Sequence, residues 1–573
     1  MAVFRLESFA GIAPAKSARL LGETLGQKAE NVTFTTGRLS PIEEDLAVAT
    51  LSNGQRQSIY YYERIGVDGG SVFQFNEANI SVVQSPIAQD TYERAYWTGQ
   101  DYPRVGTYTS MISGAVFPAA SYRLGVPAPT SAPTLNKTGT ASGTEEAQDF
   151  SYVYTLVTSF GEEGPPSPAS AIVEWTSTET IAIAMPSAND PSGAYDFSNG
   201  LKRIYRANVG STATYFQFVA EVPFSTVSYS DNKESAALGE VLPSETWVGP
   251  PDDNASLYPD GPLQGLLPIG NGVFAGFAGA RLCLSEPYLP HAWPIQYRLT
   301  IEEEIVGLSA TNNGLVVMTK GYPYFVTGTE PSAMVAIQVD VAQSCINKES
   351  IVDMGEYVLY AGPDGLVQVS NTSGSVVSSE FIEPKQWGAD FYASSYKAFL
   401  YEGLYVAFWN DGATDGGWIF DPRQPQNAFS TFTMSDEVRG GFTRKKTGKL
   451  YLIIDNEIVE FRGSSAKRTS SWKSRKFVST PTSMGCIKVH SDQYPVDVKV
   501  WGDGVLIADY QLQETAGVYT QVTTVPAGIS NGNLTAPVMR LPSNYGGEWE
   551  VEVSSTHQVN EVVLASTMAE INA

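Results

Sequence analysis

A chain of 573 residues is longer than one hydrophobic core can organise, so the sequence predicts three or four domains. Charged residues make up only 17% against 42% hydrophobic, but aromatics reach 11%, which excludes a disordered chain. The formal net charge of −25 disfavours nucleic-acid binding, which needs Lys and Arg to neutralise phosphates; it suits plain solubility or a channel along which DNA slides without adhering.

The N-terminal stretch from Met1 to Ala10 lacks a basic region followed by an apolar one, and no apolar run approaches the roughly 20 residues of a membrane span, so neither a signal peptide nor a spanning helix is expected. Cys283, Cys345 and Cys486 lie far apart, with neither metal-ligand spacing nor a disulfide framework, and imply a reducing folding compartment. Gly (52) and Pro (34) punctuate many short runs of Val, Ile, Tyr, Phe and Thr, so the expected class is all-β.

Residues 1–125 are expected to open irregularly and then form strands at 58–63, 71–75, 80–83 and 94–103, enough for one four-stranded antiparallel sheet. The Pro/Ala/Thr-rich connector at 124–134 is the clearest domain boundary. After it, Phe150–Thr158 alternates apolar and polar residues as a half-buried strand does, and the turn from Gly161 to Ser167 follows. Further strands at 181–184, 201–206, 215–220 and 226–229 complete a predicted sandwich over 126–250. Its Tyr-rich strand, Glu-Gly-Pro-Pro-Ser turn and Arg203-Ile-Tyr-Arg206 strand resemble a fibronectin type III module.

Between 251 and 475 a loose repeat of hairpins starts near Gly272, Gly314, Glu356, Gly403 and Lys449, at intervals of 42, 42, 47 and 46 residues. An apolar strand, a Gly/Asp/Asn turn and a second apolar strand at a period of about 40–50 residues are the signature of β-propeller blades. Five hairpins with the N-terminal sheet predict five or six blades; an open stacked β-array is the alternative. Clean alternation at 496–501, 505–510, 549–553 and 559–564 predicts a second sandwich over 476–573.

The chemistry-bearing residues are sparse. His291, His490 and His557 fall in different predicted domains and make neither a metal site nor a charge relay. Glycan cleavage needs paired carboxylates, and two acidic runs are candidates. Glu302, Glu303 and Glu304 read as a solvated strand edge, with Glu302 and Glu304 on one face, and Glu162-Glu163 lies in a turn. Asp364-Gly365 and Asp411-Gly412 read as turn dipeptides, not calcium loops. The one basic cluster, Lys467, Arg468, Lys473, Arg475 and Lys476 around Trp472, reads as a connector strand beside an acidic body. Ser285–Pro294 (SEPYLPHAWP), with Tyr288, His291 and Trp293, is a stiff aromatic loop between hairpins, suited to packing or to binding a sugar or partner. No catalytic, cofactor-binding or metal-binding residue is assigned.

Several stretches together carry a family resemblance: Arg94–Gly99, the SEPYLPHAWP loop, Leu315–Tyr324, Tyr360–Val367, and the ending Trp549–Val553 with Val563–Met568. They resemble tail nozzle or tail-tube virion proteins of short-tailed bacteriophages, over most of the chain, with the fibronectin-like module as an insertion. The resemblance implies a propeller-bearing platform with a C-terminal sandwich, assembled as a homohexameric ring in the virion. That ring would dock tail adaptor and fibre proteins, surround a channel that passes DNA without specific binding, and need no cofactor. The reading is therefore a structural conduit and not an enzyme. The alternatives are a receptor-binding or glycan-degrading tail protein, and a cellular adhesion or scaffold protein.

Overall fold

The computed structural model describes residues 3–34, 36–64, 66–67, 69–186, 193–209, 214–526 and 532–571. The chain is nearly all β, built mainly of antiparallel sheets, and it divides into two compact units. One unit holds residues 60–320 and 324–338; the other holds 1–59, 321–323 and 339–573. The division departs from the expected domain borders, because strands near the N-terminus pair with sheets of the C-terminal half.

In the first unit, the four N-terminal runs split instead of forming a single sheet. Ser58–Glu63 and Gly70–Phe75 form a hairpin of their own, whereas Ser81–Gln84, Ala95–Thr98, Arg104–Gly106 and Tyr122–Arg123 make a four-stranded meander. Simple alternation marks strands but not partners, and the two-residue strand at Tyr122 is too short to announce itself. Two further four-stranded meanders follow. Their central hairpins, Val273–Ala278 with Arg281–Leu284 and Gly314–Thr319 with Tyr324–Thr327, are two of the predicted repeats.

The sandwich of this unit packs Thr134–Gly139, Glu179–Ala184 and Ser228–Asp231 against Tyr152–Val157, Leu201–Val209 and Thr214–Pro223. Tyr152, Tyr154, Leu156, Ile181, Ile183 and Ile204 fill the core between the layers. Every residue of Tyr152–Val157 is buried, so this strand is covered on both faces and not half-buried as its alternation suggested. Its Val153 and Thr155 face outward, yet the loop carrying Glu163 and the segment at 239–243 shield that side. A buried ion pair crosses the core. Arg206 donates to Asp231 at 2.8 Å and lies 4.0 Å above the Phe150 ring, while Tyr152 Oη also donates to Asp231.

The second unit contains the other three repeats, as Val358–Gly362 with Gly365–Ser370, Leu404–Asn410 with Asp415–Phe420, and Leu450–Ile454 with Glu457–Glu460. The first and the last each sit in a four-stranded sheet, whereas the middle one lies within a 12-stranded sheet that runs on through Phe429–Thr433 and Gly26–Glu30 into the C-terminal strands. The fourth strand of the last one is Leu46–Thr50: the chain leaves this sheet near its N-terminus and returns at Val438. Turn chemistry supports the pattern: Glu402-Gly403 and Asp503-Gly504 both adopt positive φ at consecutive residues, the geometry of type I′ hairpin turns.

The C-terminal sandwich borrows from the chain start. Val3–Leu6 pairs with Val559–Ala565, and Gly26–Glu30 pairs with Ser470–Ser474, which in turn pairs with Gly546–Ser555. Trp472 sits at this junction, 1% exposed, with its indole N–H donated to Ala10 O at 2.9 Å and its ring edge-on to Phe9. Gly26 is required beside it, since a Cβ there would lie 2.7 Å from the indole nitrogen. Replacing Trp472 with Ala leaves a large cavity and an unpaired carbonyl, and should cost about 3–5 kcal/mol in guanidinium unfolding of the C-terminal sandwich. A loss under about 1 kcal/mol would show that the N-terminal strands do not depend on this anchor.

Candidate functional site

The sequence candidates fall into three groups once folded. Glu302, Glu303 and Glu304 are exposed and lie in a bend before the strand Ile305–Thr311, not on a strand edge, so no alternation places two of them on one face. Glu304 pairs with Lys320 at the surface. The strand starts only at Ile305, the first buried residue of the alternating run Ile305, Gly307, Ser309.

The basic cluster is consumed by structural pairing. Lys467 bonds Glu43, Arg468 bonds Asp45 at 2.8 Å, Lys473 bonds Glu550 at 2.6 Å, and Arg475 donates to Leu21 O. Burial alone would raise Glu550, but Lys473, Gln27 and Lys476 hold its carboxyl below the usual range. Asp411 accepts from the backbone of Ala413 and Thr414, which makes an Asx turn, and Gly365 with φ +153° opens a strand directly after Asp364. Among the described residues no group of three or more His, Cys, Asp or Glu is placed to hold a metal ion, and the three cysteines are free and buried. His490 is exposed on the strand Cys486–Ser491 and His557 lies outside any strand, both remote in sequence from His291.

The structure does bring together Glu162-Glu163 and His291. In the extended backbone of this loop the two carboxylates point to opposite sides. Glu162 faces inward, where Arg94 Nη1 donates to it at 2.6 Å and to Asp90 through Nε at 2.8 Å. His291 Nδ1 lies 4.0 Å from the same Glu162 oxygen, with the Trp247 ring edge-on to the imidazole. Arg94 also lies over the rings of Tyr92 and Phe160. The SEPYLPHAWP loop supplies His291 from within one sheet: it joins that sheet's third and fourth strands, Arg281–Leu284 and Leu299–Thr300, instead of linking separate hairpins. Ser285 and Trp293 fix the loop through bonds to Phe274 and Val248, leaving Tyr288 exposed.

Burial, partly offset by Arg94 and reinforced by Asp90, pushes Glu162 up to about 7. Burial with the positive charge of Arg94 pulls His291 down to about 3, against the backbone of Glu163 acting the other way. A carboxyl near 7 beside an imidazole has the makings of a general acid, but both side chains are under 7% exposed, so the cluster acts as a clasp on the segments around 90–94, 158–164 and 291.

Glu163 faces outward into a cleft of about 360 Å³ on the outer face of the sandwich. It accepts from Thr155 Oγ1, Tyr205 Oη and Arg203 Nη1, each at 2.7 Å. Arg203 Nε donates to Glu221 at 2.7 Å. Burial would depress the guanidinium, but its bonds to Glu221 and Glu163 more than offset this and hold its pKa above the ordinary value. Sequence reading marked Arg203 and Tyr205 only as strand residues. The available signal was the period-2 spacing of Arg203 and Tyr205, which puts both on one face of the strand, opposite Lys202, Ile204 and Arg206.

No known protein family matches the chain, and no curated relative matches it. Among solved structures, the Pan2 WD40 domain of Neurospora crassa is 8% identical and covers 73% of this chain and 99% of its own, with a TM-score of 0.28. The extracellular domain of BT4673 from B. thetaiotaomicron is 10% identical and covers 89% of this chain and 47% of its own, at 0.21. An engineered GH43 glycoside hydrolase is 10% identical and covers 52% and 96%, at 0.19. Scores this low carry no argument about fold or activity.

The clasp has a testable pH signature. A histidine whose folded pKa lies below its unfolded value stabilises fully above about 6.5, and that contribution is lost as pH falls toward 3, because only the unfolded chain takes up the proton. Acidification from about pH 7.5 to about pH 5 should therefore cost the native chain about 2 kcal/mol more than it costs His291→Phe. Thermal melts of the two proteins at both pH values measure the difference; equal acid sensitivity would mean that His291 takes a proton in the folded state.

Proposed function

We propose that this chain is a structural subunit of a bacteriophage tail nozzle, not an enzyme, and that six copies form a ring-shaped conduit for genome ejection. The ring docks tail adaptor and fibre proteins, is assembled in the host cytoplasm and resides in the virion. The observation that carries this reading is the recurrence of five antiparallel hairpins at the predicted spacing, the last of which takes a neighbouring strand from Leu46–Thr50. A hairpin repeat of this period is what propeller blades are made of, and pairing between early and late strands is how such a ring of sheets would close.

Composition and sequence resemblance add support. Each copy carries a formal charge of −25, so six carry −150, and acidic walls would repel DNA phosphates and let the genome pass. The basic cluster that could have gripped DNA is spent on internal pairing with Glu43, Asp45 and Glu550. In this reading residues 126–250 are a fibronectin type III-like insertion, a reading supported by the two three-stranded sheets that lie within them.

Native mass spectrometry of the full chain tests the assembly. Six copies of the 61.8 kDa chain, about 370 kDa, are expected either in isolation or on addition of a tail adaptor ring. A chain that remains monomeric or trimeric under both conditions would sink the nozzle reading.

A further inference from the structure

We infer that the cleft on the outer face of the sandwich binds a neutral, polyhydroxylated ring, a hexopyranose unit of a glycan. Its floor is the sheet of Tyr152–Val157, Leu201–Val209 and Thr214–Pro223. Its rim is the segment at 239–242, which runs along the last of these strands: Phe218 N donates to Glu240 O, Gly239 N to Phe218 O and Leu242 N to Phe216 O, all at 2.8 Å. The volume of about 360 Å³ sits at the small end of ligand pockets, enough for one sugar ring and not for an extended cofactor.

The arrangement of donors and acceptors selects the ligand. Glu163 is satisfied by its three donors, and Arg203 is clamped between Glu163 and Glu221 through Nη1 and Nε. Among the described residues, Nη2 of Arg203 has no acceptor, and the Glu240 carboxylate and the second oxygen of Glu221 have no donor. The open polar groups are thus one fixed guanidinium edge next to carboxylate oxygens. A cationic ligand would meet the guanidinium, and an anionic one would meet Glu221 and Glu240, at the cost of like-charge contact in either case. A hydroxyl both donates and accepts, so neighbouring hydroxyls on one ring can take the Arg203 N–H and give to the carboxylates without adding charge.

The rest of the lining suits the apolar face of such a ring. Phe218, Val241 and Pro243 form a hydrophobic wall, with Val241 47% exposed. A Cβ at Gly239 would lie 3.1 Å from the Phe218 ring, so the glycine leaves that ring edge open to the cleft. Clamping Arg203 in advance removes most of the rotamer entropy that binding would otherwise cost. The inference concerns binding only and stands apart from the conduit reading.

Saturation-transfer NMR on the full chain tests it, using the methyl pyranosides of glucose, galactose and mannose, with glucosamine and glucuronate as charged controls. At least one neutral pyranoside should bind with a Kd on the order of 1–10 mM, and neither charged sugar should bind as tightly. Glu240→Lys and Val241→Arg, both at exposed positions and checked for an unchanged melting temperature, should each weaken binding by roughly tenfold or more. Arg203→Lys, which keeps the charge but loses the planar fork, should do the same. Binding of none of the neutral sugars, tighter binding of a charged one, or neutral binding that survives both Glu240→Lys and Val241→Arg would overturn the inference.

Discussion

The second compact unit depends on strands from opposite ends of the chain hydrogen-bonding in shared sheets. Val3 lies opposite Ala565, Lys28 opposite Lys473, and Glu457 opposite Thr50, separations of several hundred residues in each case. A strand without its neighbour exposes a row of unpaired N–H and C=O groups, so none of these three sheets is complete until both ends are present. Closing loops of this length costs little more than closing shorter ones, since the entropy grows only with the logarithm of length. What the arrangement does impose is slow, non-local folding, because local contacts must wait for distant partners. Trp472, bonded to Ala10 and packed on Phe9, fixes the junction in place once it forms.

The acidic excess is distributed in a consistent way. Most charges that enter the interior do so in pairs: Arg206 with Asp231 in the sandwich core, Arg94 with Asp90 and Glu162 beside it, Lys473 with Glu550 in the C-terminal sandwich; Lys202 instead donates to the carbonyls of Pro186 and Thr226. An unpaired charge in such places would cost several kcal/mol, whereas a paired one with its remaining bonds satisfied is tolerated. The unpaired surplus stays in solvent, as in Glu302 and Glu303. This is how a chain with 61 acidic and 36 basic residues keeps its interior close to neutral.

Glu162 and Glu163 show one dipeptide serving two environments. The same extended backbone turns one carboxyl into a closed clasp with Arg94 and the other into the wall of an open cleft with Arg203. A fold by itself assigns no chemistry; the side chains placed around each carboxyl do.

The hairpin repeat was legible in the sequence. Gly272, Gly314, Glu356, Gly403 and Lys449 each mark the start of an antiparallel hairpin, because alternation of side chains and turn chemistry at Gly and Asp are local properties of the chain. The all-β class follows from the same local signals. Pairing partners were not legible: strands 58–63 and 71–75 read no differently from 81–84 and 95–98, yet they belong to different sheets. Nor could the sequence show that Leu46–Thr50 completes a sheet whose other strands begin at Val438. The candidate sites divide in the same way. Turn position identified Glu162-Glu163, but only the folded chain set Arg94, Asp90 and His291 against one and Arg203, Tyr205 and Glu221 against the other. Secondary structure is dictated by near neighbours, whereas a site is a meeting of residues far apart in sequence, and only tertiary packing decides that meeting.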